Sequence, residues 1–258
     1  MNKMDDERIV EQQYSTSGNL ENRISLHEKY STNKYGWFNW LFTNYEIKPG
    51  HRILELGCGY GRLWADHYNN LPEHTSLILS DYSENMVETA KRTVGHESNI
   101  TYAVIDVQDI PFADNSFDVV IANMMLYHVP DMEKGLSEIK RVLKGDGKFY
   151  CATLGENGIG GFIKDTLHLP RVKHSKFTLQ NGAGSLLAYF NHVEKKLYED
   201  SLAVTNTNDL IAYIRTLPWA EELQAVSDSE MFSALEACKQ DRVIMIPKEY
   251  GTFIASND

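Results

Sequence analysis

The sequence predicts an α/β protein built on a mostly parallel sheet, and two observations carry this prediction. Short apolar runs bounded by turn residues recur between positions 49 and 153, and segments of helical propensity separate them. The chain also has 258 residues, which is long enough to bury one large core. Because the connections between the apolar runs are short, consecutive strands are expected to lie side by side and parallel.

The first strand of this series runs into a glycine-rich turn. Its apolar run begins after Pro49-Gly50 and passes at residue 57 into the sequence Gly-Cys-Gly-Tyr-Gly, after which helical propensity returns. Glycines tolerate positive φ angles and let a ligand approach the backbone N–H groups. Gly57, Cys58 and Gly59 are therefore predicted to bind a cofactor at the carboxyl end of the first strand.

The spacing of these glycines and a nearby carboxylate indicate which nucleotide binds. A dinucleotide fingerprint, G-x-G-x-x-G, requires a third glycine where this chain has Arg62. Glu55, two residues before the first glycine, would repel a pyrophosphate and favour a cationic amino acid group. The pattern thus favours S-adenosylmethionine over NAD, and a purely structural glycine turn is the alternative.

A second apolar run ends in an acid about 20 residues beyond the glycines, where a nucleotide-binding fold places the carboxylate that binds ribose. This acid is Asp81. Its alternative role is to cap the helix predicted over residues 84–92, although Ser83 can serve equally well. Tyr82 and Met86 are predicted to form apolar walls of the adenine pocket, with ordinary core packing as their alternative role.

Two further strands are predicted to end beside the same cofactor. The run from residue 100 ends at Asp106, which could accept a hydrogen bond from the adenine amino group, while the Val107 N–H could donate to a ring nitrogen. A buried strand over 117–123 would place Asn123 and Met124 at its carboxyl end. A helix over 132–143, a turn at 144–147 and a fifth strand over 148–153 are expected to follow.

In this order the motifs resemble those of class I S-adenosylmethionine-dependent methyltransferases, in the group that includes the ubiquinone and menaquinone methyltransferases. The resemblance covers about residues 50–153. It rests on the glycine turn, Asp81, Asp106 with Ile-Pro-Phe at 110–112, Phe117-Asp118, and Leu-Tyr-His-Val at 126–129. It implies a Rossmann-like, seven-stranded, mostly parallel sheet with helices on both faces, and S-adenosyl-L-methionine as cofactor. It also implies that the glycine turn contacts the methionine part, Asp81 the ribose, and Asp106 with Val107 the adenine.

The chain is expected to form a single methyltransferase domain of four parts. These are an N-terminal helical lid (1–48), the cofactor-binding core (49–153), a substrate-side insertion (154–191), and C-terminal strands and helices that complete the sheet (192–258). Later elements are predicted as a helix over 162–169, a strand over 192–205, helices over 208–216 and 220–239, and a strand over 251–255.

The N-terminal segment permits two interpretations. Trp37, Trp40 and Leu41 fall at helical spacing, which is typical of a helix packed on the sheet. The segment would alternatively act as a lid over the cofactor. In that case four side chains would be candidates to meet the methionine carboxylate or the substrate: Tyr14, Arg23, His27 and Tyr30.

His128 is the predicted catalytic residue. Methyl transfer from a sulfonium proceeds by in-line displacement and requires mainly that the acceptor lie about 3 Å from the methyl group and collinear with the sulfur. A base is needed only where the acceptor must lose a proton. His128 follows the fourth strand closely and can titrate near neutrality, but it could instead order its loop by hydrogen bonding.

Composition narrows the class of acceptor. The net charge of −11 disfavours a nucleic-acid substrate, and a small-molecule acceptor is expected to be methylated at O, N or C. No run is apolar enough to span a bilayer, and the three cysteines have no metal-ligand spacing, so a cytoplasmic enzyme without a metal is expected. The alternatives are a protein or RNA methyltransferase, and a non-catalytic S-adenosylmethionine-binding protein that serves regulation or assembly.

Overall fold

A computed structural model of the chain describes residues 25–170, 176–217 and 223–257. Its sheet has seven strands in the order β3-β2-β1-β4-β5-β7-β6, and the neighbouring pairs β1–β2, β2–β3, β1–β4 and β4–β5 are parallel. The predicted seven-stranded, mostly parallel sheet is confirmed. The strands are β1 (Arg52–Leu56), β2 (Ser76–Asp81), β3 (Ile100–Val104), β4 (Phe117–Ile121), β5 (Leu143–Leu154), β6 (His192–Val204) and β7 (Ile244–Ser256).

The strand order reverses at β1, which lies between β2 and β4. In open α/β sheets, ligands bind outside the carboxyl ends of the strands at such a reversal. The glycine turn follows β1 directly, so the topology places it at this point.

Eight helices with defined ends lie in the described part of the chain, and residues 25–30 are also helical. No helix among the described residues is long and apolar enough to cross a membrane. The helices are α1 (Trp37–Thr43), α2 (Arg62–His67), α3 (Glu84–Val94), α4 (Met132–Val142), α5 (Ile159–Thr166), α6 (Gly182–Leu187), α7 (Thr207–Ile214) and α8 (Asp228–Ala237).

Alternation along the strands explains why helices cover both faces of the sheet. Successive side chains of a strand point to opposite faces. In β1, Ile53 packs into a cluster with Leu41 of α1 and Trp64 of α2, whereas Leu54 packs into a different cluster with Leu136 of α4. Each face of the central strands therefore has its own hydrophobic core and its own helices.

The described residues group into two compact units. The sheet unit comprises residues 35–154, 176–198 and 251–257, and the accessory unit comprises 25–34, 155–170, 199–217 and 223–250. β6 and β7 each contribute residues to both units. The sequence-based division into lid, core, insertion and C-terminal part, all within one domain, stays a prediction.

The accessory unit contains a buried ion pair as well as an apolar core. The side chains of Asp200 and Lys248 are 0% and 4% exposed, and Lys248 donates hydrogen bonds to Asp200 and to Ser31 Oγ. Asp200 also accepts hydrogen bonds from Ser31 Oγ and the Asn33 N–H. Burial raises the pKa of the Asp200 carboxyl, but these hydrogen bonds, that of Lys248 first, outweigh burial and bring its pKa to about 2. The Asp200 carboxylate therefore stays charged at neutral pH, whereas burial lowers the pKa of Lys248 and the hydrogen bond to Asp200 opposes that shift.

One predicted boundary was wrong. Residues 144–147 were expected to form a turn before a strand beginning at 148, whereas β5 already begins at Leu143. Leu143 pairs with Phe117 and Lys148 pairs with Val119, so the extra residues between Leu143 and Lys148 form a bulge within one strand. Pairing with β4 on both sides of the bulge keeps the backbone extended. The bulge itself is secured by Lys144, whose Nζ donates to the Asp118 carboxylate at 2.7 Å.

Replacing the buried lysine is expected to destabilise the fold strongly. Lys248→Ala leaves the Asp200 carboxylate buried without its cationic partner, which costs about 3–5 kcal/mol of unfolding free energy. The measurement is urea unfolding at neutral pH. Lys29→Ala is the matched control, because Lys29 pairs with Asp209 at 2.6 Å in the same unit but its side chain is 56% exposed. Equal destabilisation by the two variants would contradict the assigned role of the buried pair.

Candidate functional site

The glycine turn combines tight packing on one side with open space on the other. Gly61 has φ 78°, and a Cβ there would lie 2.7 Å from Val94 Cγ2, so only glycine allows the turn to pack against α3. Gly59 has φ 55°, and no heavy atom of the described chain lies within 4 Å of where its Cβ would be. The backbone at Gly59 is therefore open to a ligand, and cofactor binding by the turn stays a prediction.

Asp81 ties the turn to the end of β2. Its carboxylate accepts hydrogen bonds from the Gly59 N–H at 2.9 Å and from the Ser83 N–H at 2.9 Å. Ser83 rather than Asp81 is the N-cap of α3, since its hydroxyl accepts from the Met86 N–H. Burial raises the pKa of Asp81 although backbone hydrogen bonds oppose the shift. Each carboxylate oxygen keeps a further lone pair, so the carboxylate can still accept ribose hydroxyls.

Glu55 lies buried in β1 beneath the turn, at 3% exposure. The indole N–H of Trp64 donates to Glu55 Oε2 at 2.5 Å, and the nearby Asn123 amide, like Trp64, favours the ionised form and lowers the pKa of Glu55. Burial nevertheless raises the pKa of Glu55 to about 7, with the Asp81 charge adding to the increase. The carboxyl group thus holds its proton more readily than an exposed glutamate.

Asn123 follows β4 and completes this buried group. Its Nδ2 donates to the Tyr45 hydroxyl at 2.8 Å, while its buried Oδ1 has no hydrogen-bond partner among the described residues. Asn123 Oδ1 is therefore an orphaned acceptor, and a buried acceptor of this kind calls for a donor such as a ligand ammonium.

The residues that follow Asn123 shape the other side of the turn. Met124 has φ 54°, a left-handed conformation that is uncommon for a residue other than glycine, and its N–H donates to the Ala152 carbonyl at 2.8 Å. A Cβ on Gly57 would lie 2.9 Å from Cβ and Cγ of Met125, so the Met125 side chain packs closely against the glycine turn. Strained backbone of this type concentrates at ligand sites.

The two residues predicted to bind adenine lie in the turn after β3. The Asp106 carboxylate accepts from the Gln108 N–H at 2.8 Å. The Val107 side chain is buried, and its N–H has no partner in the part of the chain that the structure describes. An acceptor and a free donor are thus adjacent. Of the two predicted adenine walls, Tyr82 is 56% exposed and Met86 is buried at 7%.

His128 lies in a short 3-10 turn over residues 126–128. Its N–H donates to the Met125 carbonyl at 2.9 Å, and its ring lies 4.5 Å from the Tyr127 ring, between centroids. The catalytic role of His128 stays a prediction.

Of the four N-terminal side chains predicted to meet the methionine carboxylate or the substrate, the structure describes two. Tyr14 and Arg23 lie outside the described residues. His27 packs edge-on against Tyr213 with centroids 5.9 Å apart, and burial lowers its pKa to about 3, so its imidazole is neutral. The Tyr30 hydroxyl donates to Asp209 at 2.6 Å.

The predicted helix around Trp37 is confirmed as α1. Leu41 is fully buried in the sheet unit, and Trp37 stacks on Trp40 with centroids 5.4 Å apart. This supports the interpretation of 37–43 as a packed helix, and the lid stays a prediction.

Two residues of the site escaped sequence reasoning, Tyr45 and Trp64. The only available signal was the need of a buried indole N–H for a partner, which Glu55 satisfies. The segment that contains Tyr45 has no motif.

The donor and acceptor chemistry of the site suits S-adenosylmethionine. The polar side chains of the candidate site, Glu55, Asp81 and Asn123 with its free Oδ1, offer acceptors, which disfavour a pyrophosphate and fit the ammonium of a methionine group. The open side of Gly59 provides the approach. The residues present therefore fit this cofactor.

Glu55→Gln is expected to change how stability depends on pH. The pKa of Glu55 is raised from 4.5 to about 7 on folding, so the stability it contributes is fully present below pH 4.5 and is lost as the pH rises through about 7. Between pH 5 and pH 8 the natural protein should lose up to roughly 3 kcal/mol relative to the glutamine variant.

Urea unfolding of the ligand-free proteins at both pH values measures this difference. Glu88→Gln, on the exposed surface of α3, is the matched control and should follow the natural protein. Parallel pH dependence of the natural protein and Glu55→Gln would contradict the raised pKa.

Comparison with known proteins agrees with this geometry. Residues 54–151 match the family described as a methyltransferase domain. The demethylmenaquinone methyltransferase of Staphylococcus saprophyticus is 31% identical over 153 residues, which are 58% of this chain and 64% of that protein. The ubiquinone/menaquinone biosynthesis C-methyltransferase of Rickettsia prowazekii is 32% identical over 163 residues, 61% of this chain and 63% of that protein. The chain thus spans less than two thirds of the length of these relatives.

A solved structure has the same fold. Phosphoethanolamine N-methyltransferase 2 of Haemonchus contortus, in complex with S-adenosyl-L-methionine, superposes with a TM-score of 0.61 at 19% identity, over 97% of this chain and 59% of that one. Residues 54–151 are thus similar to the class I S-adenosylmethionine-dependent methyltransferases, the group that includes the ubiquinone and menaquinone enzymes, and the solved relative of the same fold holds S-adenosyl-L-methionine.

Proposed function

We propose that the chain transfers the methyl group of S-adenosylmethionine to a small-molecule acceptor by in-line displacement. The observation that carries this proposal is a group of acceptors at the carboxyl ends of β1 and β4, together with a glycine turn that is open at Gly59: the carboxyl of Glu55 and the orphaned Oδ1 of Asn123. This arrangement fits a ligand that presents a cationic amino group.

Each part of the cofactor has proposed partners in the sheet unit. Glu55, Asn123 and the glycine turn would hold the methionine part, with Cys58 and Met124 beside it. Asp81 would accept hydrogen bonds from the ribose. Asp106 and the Val107 N–H would bind the adenine, with Tyr82 and Met86 as its walls.

When bound, S-adenosylmethionine supplies an activated methyl group on a sulfonium. The chain then needs to orient the acceptor and, for an acidic acceptor, to remove its proton. His128 is proposed to accept that proton at an imidazole nitrogen. Its position on the turn that follows Met125 supports this role, because Met125 packs against the glycine turn.

The acceptor is proposed to be a small molecule methylated at O, N or C. The name of the Rickettsia prowazekii relative, a C-methyltransferase, favours carbon, and the solved N-methyltransferase keeps nitrogen as a candidate. The net charge of −11 supports a small molecule over a nucleic acid.

Calorimetric titration tests the cofactor site directly. S-adenosylhomocysteine should bind to the natural protein, and NAD should not. Asp81→Ala should weaken binding of S-adenosylhomocysteine by about 1.5–3 kcal/mol, the range for hydrogen bonds to a charged group. Glu84→Ala, which removes an exposed carboxylate three residues later, is the matched control. Unchanged affinity in folded Asp81→Ala would remove Asp81 from the site, and NAD binding alone would overturn the cofactor assignment.

His128→Ala separates catalysis from binding. The variant should bind S-adenosylhomocysteine as tightly as the natural protein and transfer the methyl group about 10²–10⁴ times more slowly, because a general base is lost. Transfer is measured on a panel of hydroxylated quinols, catechols and primary amines, with the exposed His96→Ala as control. Weakened cofactor binding in His128→Ala would instead assign the residue to ordering of its loop. Binding without transfer by the natural protein to any acceptor would favour a non-catalytic S-adenosylmethionine-binding protein.

A further inference from the structure

The side chain of Gln108 links the predicted adenine-binding turn to the start of α4. Its Oε1 accepts from the Asp131 N–H at 3.0 Å, and its Nε2 donates to the two carboxylate oxygens of Asp106 at 3.1 and 3.2 Å. The Gln108 N–H donates to the same carboxylate at 2.8 Å. One residue thus makes three hydrogen bonds to Asp106 and one to the helix.

The chemistry of the neighbours allows only one orientation of this amide. The Asp131 N–H can only donate, so it requires the amide oxygen, and the Asp106 carboxylate can only accept, so it requires the amide nitrogen. Asp131 is itself fixed as the N-cap of α4, with its carboxylate accepting from the Lys134 N–H at 3.0 Å. Gln108 therefore fixes the Asp106 carboxylate relative to the N-terminal end of α4.

The backbone of the same turn is held independently of Gln108. Glu138 accepts from the Ile110 N–H at 2.9 Å, and Arg141 donates to the carbonyls of Ile110 at 2.9 Å and Phe112 at 2.7 Å. Two further hydrogen bonds, both 2.7 Å, join Arg141 to the Glu138 carboxylate. Loss of the Gln108 side chain would thus free the Asp106 carboxylate while leaving the path of the turn in place.

The carboxylate has acceptor capacity left on one side. Oδ1 of Asp106 receives two donors from Gln108, whereas Oδ2 receives one at 3.2 Å. Next to it, the Val107 N–H has no partner in the described chain. An oriented acceptor beside a free donor matches a base edge that presents an amino group beside an unprotonated ring nitrogen.

We propose that Gln108 is a positioning residue that orients Asp106, so that the site selects a nucleoside base with an exocyclic amino group over one with a carbonyl at that place. The proposal rests on the assignment of Asp106 and Val107 to the base, made above. A deaminated base would face the carboxylate with an oxygen and the Val107 N–H with a protonated nitrogen, so both contacts would be mismatched.

The test compares S-adenosyl-L-homocysteine with its deaminated analogue, S-inosyl-L-homocysteine, by calorimetric titration of the full chain. The natural protein should bind the adenine compound at least about tenfold more tightly, and Gln108→Met should reduce this ratio about threefold to tenfold. Methionine keeps the length of the side chain without its hydrogen bonds, and Gln108→Ala provides a second variant. Asp109→Ala, an exposed neighbour in the same turn, is the control and should keep the natural ratio.

The outcomes separate the inference from the proposed function. An unchanged ratio in both Gln108 variants, together with a reduced ratio in Asp106→Ala, would overturn the positioning role and leave the base site intact. An unchanged ratio in Asp106→Ala would overturn the base site itself. A uniform loss of affinity for both compounds in the Gln108 variants would show a merely structural role and would also overturn the inference.

Discussion

The hydrogen bond from the Gly59 N–H to the Asp81 carboxylate joins the two strand ends on which the candidate site depends. Because β1 and β2 are parallel neighbours, the glycine turn and Asp81 emerge at the same edge of the sheet. The Cys58 N–H adds a hydrogen bond of 2.8 Å to the Ser80 carbonyl, so the turn is held against β2 at consecutive residues. β4, on the other side of β1, adds Asn123. The site is thus formed by three adjacent strands, and the reversal of strand order at β1 creates it.

The electrostatics of the site follow from a carboxyl group buried beneath that turn. A buried carboxylate without a cationic partner is costly, and Trp64 and Asn123 offset only part of this cost. The raised pKa of Glu55 reflects the part of the burial cost that these two residues do not offset. A cation arriving at the turn would favour the ionised carboxyl and would satisfy the orphaned Oδ1 of Asn123. The same feature that strains the ligand-free site therefore suits it to a ligand with an ammonium group.

Helix α4 organises the opposite end of the site. Its N-cap, Asp131, is linked through Gln108 to Asp106, and Glu138 and Arg141 in its second half hold the backbone at Ile110. The pKa of Glu138 is lowered, first by its hydrogen bond to Arg141, so this clamp stays charged across the neutral pH range. A helix that packs its apolar side on the sheet thereby uses its polar side to shape a loop. These contacts with α4 explain how a turn with little regular structure can present the Asp106 carboxylate and the Val107 N–H in a defined arrangement.

The sequence by itself determined the features that depend on local chemistry. The glycine turn, the acid at the end of β2 and the order of strands and helices each follow from residue types at short spacing, and the structure contains them; the choice of Ser83 over Asp81 as the cap of α3 came from the structure. Only the tertiary structure showed that residues 144–147 belong to β5 and do not form a turn, because pairing with β4 extends β5 on both sides of a bulge. It also decided the partners of the buried polar groups. Trp64 reaches Glu55 across nine residues, Gln108 reaches Asp131 across 23, and Asn123 reaches Tyr45 across 78. Such pairs depend on how strands and helices pack in three dimensions, and no periodicity along the chain records which buried donor will meet which acceptor.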